Sequence, residues 1–181
     1  KTAMKIGTDG VLLGAWCSLK ESTKKILDVG SGTGVISLML AQRFNNATID
    51  SVELENNAHK QSVENFERSV WADRLFCFHS TFQDFANELK EDGQTYDLII
   101  SNPPFYTDNV KNNNRARNKA RSTSFLSFVE LISGVSKILS NQGEFTTIIP
   151  FKEEVKFTEI SKQNKLFLNK ICRVKGNNNS D

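Results

Sequence analysis

Three glycines at alternate positions form the first pattern with chemical meaning. Gly30, Gly32 and Gly34 lie between an apolar segment and a segment of helical periodicity, where a backbone without side chains turns sharply and approaches a ligand closely. Dinucleotide enzymes have the spacing GxGxxG at such a turn, but this chain has GxGxG preceded by Asp28. Because a carboxylate suits a ligand with an α-amino group and a sulfonium, the pattern favours S-adenosylmethionine over a dinucleotide.

Acidic residues near the ends of the next two strand candidates extend this predicted cofactor site. Glu53 follows the glycines by roughly 20 residues, a spacing at which a carboxylate accepts hydrogen bonds from both ribose hydroxyls. Glu55 competes for that role, and a solvated carboxylate is the simpler alternative. Asp84 and Phe85 are expected to bind the adenine amino group and to cover the adenine face, with a helix-capping Asp and a core Phe as alternatives.

The run Asn102-Pro103-Pro104-Phe105 predicts the site of the acceptor. Two prolines fix the backbone and remove two N–H donors, which leaves carbonyl groups to point into a pocket. If the side-chain oxygen of Asn102 and the carbonyl of Pro103 accept the two hydrogens of an exocyclic amine, the nitrogen lone pair can face a methyl donor. Phe105 offers a ring on which a planar base stacks. The structural alternative is a motif that merely closes a strand and caps the core.

A basic stretch follows this motif directly. No acidic residue occurs between Asn109 and Val129. Such a segment is well placed to hold the phosphates around an entering base, which makes binding dependent on salt, although a solvated loop without a partner is the alternative. The basic residues of this stretch are Lys111, Arg115, Arg117, Lys119 and Arg121.

Alternating strands and helices are expected to position these residues. The alternation predicts an α/β fold with a doubly wound, mostly parallel sheet, right-handed crossovers and helices on both faces. Thr8 and Asp9 are a start signal for the first helix, because a side-chain oxygen there can satisfy a free backbone N–H. The expected strands are residues 25–29, 48–54, 75–79, 96–101, 143–149 and 166–174. The expected helices are residues 11–19, 35–44, 57–70, 82–89, 125–139 and 152–164.

Composition limits the classes of protein that remain. A chain of 181 residues is expected to form a single domain, 1–181, and no apolar run approaches the roughly 20 residues of a membrane span. Cys17, Cys77 and Cys172 are widely spaced and include no CxxC pair, so we expect no disulfide, no metal site and a reducing cytoplasm. The net charge of +2 is too small for a general nucleic-acid coat. The polar ends suggest that natural terminal segments are missing.

Four segments together resemble the bacterial tRNA1(Val) adenine-37 N6-methyltransferases. These are KIGTDGVLLGAW at residues 5–16, DVGSGTG at 28–34, WADR at 71–74 and NPPF at 102–105. The resemblance implies a Rossmann-like class I methyltransferase whose sheet has seven strands, with the last beyond the C-terminus of this chain. It also implies S-adenosylmethionine as the methyl donor and the adenine beside the anticodon of a valine tRNA as the acceptor.

The resemblance assigns roles residue by residue. Gly30, Gly32, Gly34 and Glu53 would bind the cofactor, and residues 102–105 would hold the adenine. Thr8 and Asp9 would close over the cofactor, with helix capping as an equal alternative. The enzyme is expected to act as a monomer on the anticodon loop.

Other functions remain open from the residues alone. NPPF-type motifs also fit N2-methylation of guanine in ribosomal RNA and N5-methylation of glutamine in release factors. A catalytically silent RNA-binding module and a dinucleotide oxidoreductase are further alternatives.

Overall fold

One parallel sheet forms the centre of the molecule. In the computed structural model, residues 7–18, 20–103 and 126–176 are described. The strands lie in the order β3-β2-β1-β4-β5, and every neighbouring pair is parallel. The direction of winding therefore reverses between β1 and β4, and ligands of such sheets bind at the carboxyl ends of the strands at this point. The strands are β1 (Lys25–Val29), β2 (Thr48–Glu53), β3 (Leu75–His79), β4 (Tyr96–Ser101) and β5 (Leu139–Thr147).

Helices cover both faces of the sheet, as the alternating pattern predicts. One face packs against α1, α2 and α3, and the other packs against α4 and α5, so that two separate apolar cores result. Successive residues of β1 show the division, because Ile26 belongs to the first core and Leu27 to the second. The helices are α1 (Thr8–Trp16), α2 (Val35–Arg43), α3 (Asn56–Glu67), α4 (Phe82–Glu91), α5 (Phe128–Ile138) and α6 (Glu154–Gln163), with a 3₁₀ helix at Phe151–Glu153.

The central strands are buried on both faces. Ile26, Leu27, Ile99 and Ile100 are all 0% exposed, which explains why β1 and β4 read as almost continuous apolar runs. Truncation of any of these side chains to Ala would cost about 2–5 kcal/mol through lost burial and the remaining cavity. The two strands that carry the glycine turn and Asn102 thus belong to the most rigid part of the fold.

Most predicted elements are confirmed, and two predictions are wrong. Residues 166–174 were expected to form a strand, but they pair with no other strand among the described residues, whose sheet therefore has five strands. Phe167 is 74% exposed, so the apolar residues of this segment are not buried on a sheet. Helix α1 begins at Thr8 after the N-cap residue Gly7, with no side-chain cap. Thr8 and Asp9 therefore lie inside the first turn of the helix and do not cap it.

Candidate active site

The glycine turn joins β1 to α2 at the carboxyl edge of the sheet. Gly30, Gly32 and Gly34 have φ values of +73°, +58° and +78°, which L side chains rarely adopt. A Cβ on Gly34 would lie 2.5 Å from the ring of Phe66 and 2.5 Å from Ser62 Oγ, whereas a Cβ on Gly30 or Gly32 would meet nothing within 4 Å. Gly34 is therefore required for packing against α3. Gly30 and Gly32 face the open space in which a ligand can approach the backbone.

Glu53 is in direct contact with this turn. Its Oε2 accepts a hydrogen bond of 2.8 Å from the N–H of Gly32, and its Oε1 accepts one of 2.8 Å from the N–H of Glu55. The N–H of Gly30 donates to the carbonyl of Val52 at 2.9 Å, which ties the turn to the end of β2. The structure thus brings together the predicted acid and the predicted turn.

Glu55 has a different role. Its side chain accepts hydrogen bonds of 3.1 Å from the N–H of Asn57 and 2.7 Å from the N–H of Ala58, at the start of α3. These backbone donors hold the pKa of Glu55 below its usual value. Glu55 is therefore the N-cap of α3, and Glu53 is the carboxylate available to a ligand at the turn.

Asp28 lies beneath the turn in a buried polar network. Ser37 Oγ donates to Asp28 Oδ2 at 2.6 Å, and because this uses its single hydrogen, Ser51 Oγ must donate to Ser37 across 2.9 Å. Burial raises the pKa of Asp28 to about 7 against the opposing effect of these hydrogen bonds. Within the described part of the chain, Asp28 Oδ1 has no hydrogen-bond partner. The free oxygen and the open space at the turn both fit a polar, cationic group of a cofactor.

The surroundings of Phe85 disagree with its predicted role, whereas those of Asp84 leave its role open. Asp84 Oδ2 accepts from Thr81 Oγ1 at 2.7 Å, and the N–H of Asp84 donates to the same hydroxyl at 3.1 Å, which closes the first turn of α4. Phe85 is only 7% exposed and its ring lies 5.2 Å from that of Phe78. The ring of Phe85 corresponds to the core alternative, because a ring enclosed in the core has no face left for adenine. Thr81 is the N-cap of α4, and the side chain of Asp84 is exposed, so its contact with the adenine amino group stays a prediction.

Asn102 and Pro103 follow β4 immediately beside the glycine turn. Val29 pairs with Ser101 in the sheet, so Gly30 and Asn102 are the next residues on two adjacent strands. Ser101 Oγ donates to the carbonyl of Val29 at 2.9 Å, which fixes the two strand ends relative to each other. Neighbouring strands lie about 4.8 Å apart, so the predicted donor and acceptor sites are contiguous. Pro104 and Phe105 lie outside the described residues.

Helix α1 packs against the acceptor side of the site. A Cβ on Gly10 would be 3.4 Å from Asn102 Nδ2 and 3.7 Å from the side chain of Ile36. Thr8 and Asp9 are exposed at the start of the same helix. They therefore lie near Asn102 at the edge of the site, a position that is compatible with the predicted closure over a cofactor.

Two histidines that the sequence does not link to the site support its second strand. The rings of His59 and His79 stack with 5.0 Å between their centres. His79 Nε2 lies 2.9 Å from the carbonyl oxygen of Leu54, and His59 Nε2 lies 3.1 Å from that of Cys77. The stack braces the segment that directly follows Glu53. No local sequence pattern could reveal it, because the two residues come from different elements.

Three further predictions concern the basic residues, metal sites and membrane-spanning helices. The five basic residues from Lys111 to Arg121 all lie outside them. Among the described residues, no group of three or more His, Cys, Asp or Glu side chains is arranged to hold a metal ion. No helix in the same part of the chain is long and apolar enough to cross a membrane.

Comparison with known proteins gives consistent matches. A family model described as the methyltransferase small domain matches residues 10–159. The tRNA1(Val) (adenine(37)-N6)-methyltransferase of Christiangramia forsetii is 56% identical over 180 residues, which cover 99% of this chain and 75% of that protein. The protein of the same name from Flavobacterium johnsoniae is 49% identical over 181 residues, which cover 100% of this chain and 76% of that protein.

A solved structure shows the same fold at low sequence identity. The S-adenosylmethionine-dependent methyltransferase from Agrobacterium tumefaciens superposes with a TM-score of 0.62 at 16% identity. The alignment covers 87% of this chain and 49% of that one, so this chain spans about half of that protein. The likeness confirms the Rossmann-like α/β architecture of this class of methyltransferase.

Proposed function

We propose that this chain, which belongs to the family of tRNA1(Val) (adenine(37)-N6)-methyltransferases, methylates N6 of adenine 37 in this tRNA. S-adenosylmethionine is the methyl donor. The observation that carries the proposal is the placement of Asn102 beside the glycine turn, on the adjacent strand end. An amide that can accept from an exocyclic amine and a turn suited to a sulfonium cofactor thus share one edge of the sheet.

The residues around the turn fit the cofactor. S-adenosylmethionine supplies an electrophilic methyl group on a positively charged sulfur. Gly30 and Gly32 leave space for the cofactor against the backbone, and Glu53, already held by the N–H of Gly32, is oriented to accept from ribose hydroxyls. Asp28 provides a buried carboxylate whose Oδ1 has no hydrogen-bond partner in the described part of the chain, and a cationic ligand nearby favours its ionised form.

Asn102 and Pro103 orient the acceptor. An exocyclic amine is a weak nucleophile because its lone pair is delocalised into the heterocycle. The side-chain oxygen of Asn102 and the carbonyl of Pro103 accept its two hydrogens, which favours a pyramidal nitrogen with its lone pair directed at the methyl group. Much of the catalysis then comes from positioning and from electrostatic stabilisation of the charge that develops on nitrogen. Phe105 offers a ring on which the base stacks, and Pro104, like Pro103, has no N–H to donate.

The basic stretch supplies the affinity for RNA in this proposal. The five basic residues that follow the NPPF motif hold phosphates around the entering adenine: Lys111, Arg115, Arg117, Lys119 and Arg121. An adenine in the anticodon loop is already unpaired or easily displaced from its stack, so the enzyme need not melt a duplex. We expect one chain to act as a monomer, because it carries both sites, and we expect it in the cytoplasm, where its tRNA substrate is found.

Transfer of a labelled methyl group tests the proposal. Total tRNA that lacks N6-methyladenosine is incubated with labelled S-adenosylmethionine and enzyme, and the nucleosides of the product are separated. Label in N6-methyladenosine, recovered in valine tRNA, is the expected result. Ribosomal RNA and a release factor serve as parallel acceptors. Label in N2-methylguanosine or in methylglutamine would replace the proposed substrate with one of the two alternatives.

A further inference from the structure

Phe151 is an aromatic side chain at the active-site edge that the cofactor and adenine sites do not use. It begins the 3₁₀ helix after β5 and is 68% exposed. Pro150 precedes it and accepts a hydrogen bond of 2.9 Å from the N–H of Glu153, which fixes the backbone of this turn. A large ring held on a rigid turn presents area for contact at a low cost in conformational entropy.

The sheet places this ring on the acceptor side of the site. Ser101 pairs with Thr147 at the ends of β4 and β5, and Thr147 Oγ1 donates to the carbonyl of Ser101 at 2.9 Å. Asn102 comes one residue after the first strand end, and Phe151 comes four residues after the second. Four residues span at most about 14 Å of chain and neighbouring strands lie about 4.8 Å apart, so Phe151 lies within about 20 Å of Asn102, a distance that a few nucleotides of an RNA loop can bridge.

Phe151 and the start of α1 line the same cleft, which does not include Asn102 itself. Phe151 lines an open cleft of about 1900 Å³ together with Thr8 and Asp9 at the start of α1, whose Gly10 packs beside Asn102. Pockets for small molecules are typically about 300–1,000 Å³, so a cleft of this size and shape fits a polymer better than a second small ligand. The same cleft does not include the glycine turn.

Basic groups surround the ring. The guanidinium carbon of Arg173 lies 5.7 Å from the ring centre, and Lys152 and Lys156 are exposed on the following residues. Glu154 is neutralised by Arg173 through contacts of 2.8 and 3.1 Å, which leaves Glu153 as the acidic group of the turn. An exposed aromatic ring next to cations is the combination that binds single-stranded nucleic acid, through stacking of bases and contact with phosphates.

We propose that Phe151 stacks on an unpaired base of the RNA loop next to the methylated adenine, and that Lys152 contacts the adjoining phosphate. The inference rests on the proposed function, since it names a second contact for the same RNA. It predicts a role in RNA binding that is separate from methyl transfer, because Phe151 lies outside the cofactor and adenine sites.

Four forms of the full-length enzyme test the inference: wild type, Phe151→Ala, Phe151→Tyr and Val155→Ala. Val155 is the matched control, because it is 70% exposed and lies four residues further on, yet it has no ring. The anticodon stem-loop of tRNA1(Val) carries 2-aminopurine on either side of adenine 37, and its fluorescence reports stacking. Affinity for this RNA, affinity for S-adenosylmethionine, KM for the RNA and kcat are measured for each form.

Stacking on aromatic residues is worth about 1–3 kcal/mol by alanine substitution, which corresponds to roughly 5- to 100-fold in affinity. We expect Phe151→Ala to raise Kd and KM for the RNA by this factor and to remove the quenching of 2-aminopurine at one position. Phe151→Tyr should restore both quantities, and Val155→Ala should match wild type. Affinity for S-adenosylmethionine and kcat at saturating RNA should remain unchanged in all four.

Two results would overturn the inference. Unchanged Kd, KM and quenching in Phe151→Ala would show that no base stacks there, while methyl transfer by the wild type would leave the proposed function intact. A loss of stability in Phe151→Ala without any change in KM would show that another part of the protein covers the ring. By contrast, Phe151-dependent binding without methylation of adenine 37 would support the contact and reject the proposed function.

Discussion

Alanine substitutions at four glycines with left-handed backbones separate packing from ligand binding. Gly30, Gly32, Gly34 and Gly93 all have φ values between +58° and +78°. Any Ala in this region costs about 1–2 kcal/mol from backbone strain alone. A Cβ on Gly93, in the turn after α4, would meet nothing within 4 Å, so Gly93→Ala measures this strain away from the proposed site.

Gly34→Ala should cost more than the strain. The added Cβ would lie 2.5 Å from both Phe66 and Ser62, and overpacking of this kind costs about 1–3 kcal/mol in addition. We therefore expect a total loss of about 2–5 kcal/mol, against about 1–2 kcal/mol for Gly93→Ala and Gly32→Ala. Urea unfolding followed by circular dichroism gives the midpoint and the slope for each variant.

The ligand measurement separates Gly32→Ala from Gly93→Ala, which are expected to lose similar amounts of stability. Because a Cβ on Gly32 would enter open space at the proposed cofactor site, Gly32→Ala should lose most of its affinity for S-adenosylmethionine in calorimetric titration. Gly93→Ala should bind the cofactor like wild type. If Gly34→Ala is as stable as Gly93→Ala, the packing role of Gly34 is wrong. If Gly32→Ala binds the cofactor like wild type, the ligand space at Gly32 is wrong.

Three further predictions follow from the site. Asn102→Ala should reduce kcat severely while the Kd for S-adenosylmethionine stays near normal, and a wild-type rate in single-turnover assays would reject the proposed role of the amide. Burial raises the pKa of Asp28 to about 7 in the folded state, compared with about 3.9 in the unfolded state. The folded protein therefore binds this proton more strongly than the unfolded chain does. As a result, Asp28 makes the free energy of unfolding fall as pH rises from about 4 to 7. Asp28→Asn should remove up to about 4 kcal/mol of this dependence, and urea midpoints measured from pH 4 to 8 that keep the wild-type slope would contradict the assignment. Arg115→Ala combined with Arg121→Ala should weaken tRNA binding and flatten the dependence of log Kd on log salt by about two, whereas an unaltered slope would show that these side chains do not contact phosphates.

The sequence predicts the central strands well because their physical signal is local. Residues 25–29 and 96–101 in the centre of the sheet are confirmed to the residue, as are residues 75–79 at its edge. In β1 and β4 burial on both faces demands an almost unbroken apolar run, which ends where the glycine turn and Asn102 begin. Their positions at the carboxyl edge then follow from the parallel topology.

Predictions were less successful where the outcome depends on how separate elements pack or pair with one another. The strand expected at 166–174 needs a hydrogen-bonded partner, and its apolar residues alone do not supply one. Phe85 was expected at the cofactor, but the packing of α4 turns its ring into the core. The contact between Glu53 and Gly32 and the hydrogen bond from Ser37 to Asp28 also could not be predicted, because each depends on how separate elements meet.

Paired transcripts of tRNA1(Val) show whether the enzyme methylates N6 of adenine 37. One carries adenine at position 37 and the other carries guanine there, and both are incubated with S-adenosylmethionine and the enzyme under the same conditions. Mass spectrometry of nuclease fragments then locates any methyl group. We expect one methyl group on N6 of adenine 37 in the first transcript and none in the second. Equal methylation of both transcripts, or methylation at another position of the first, would contradict it.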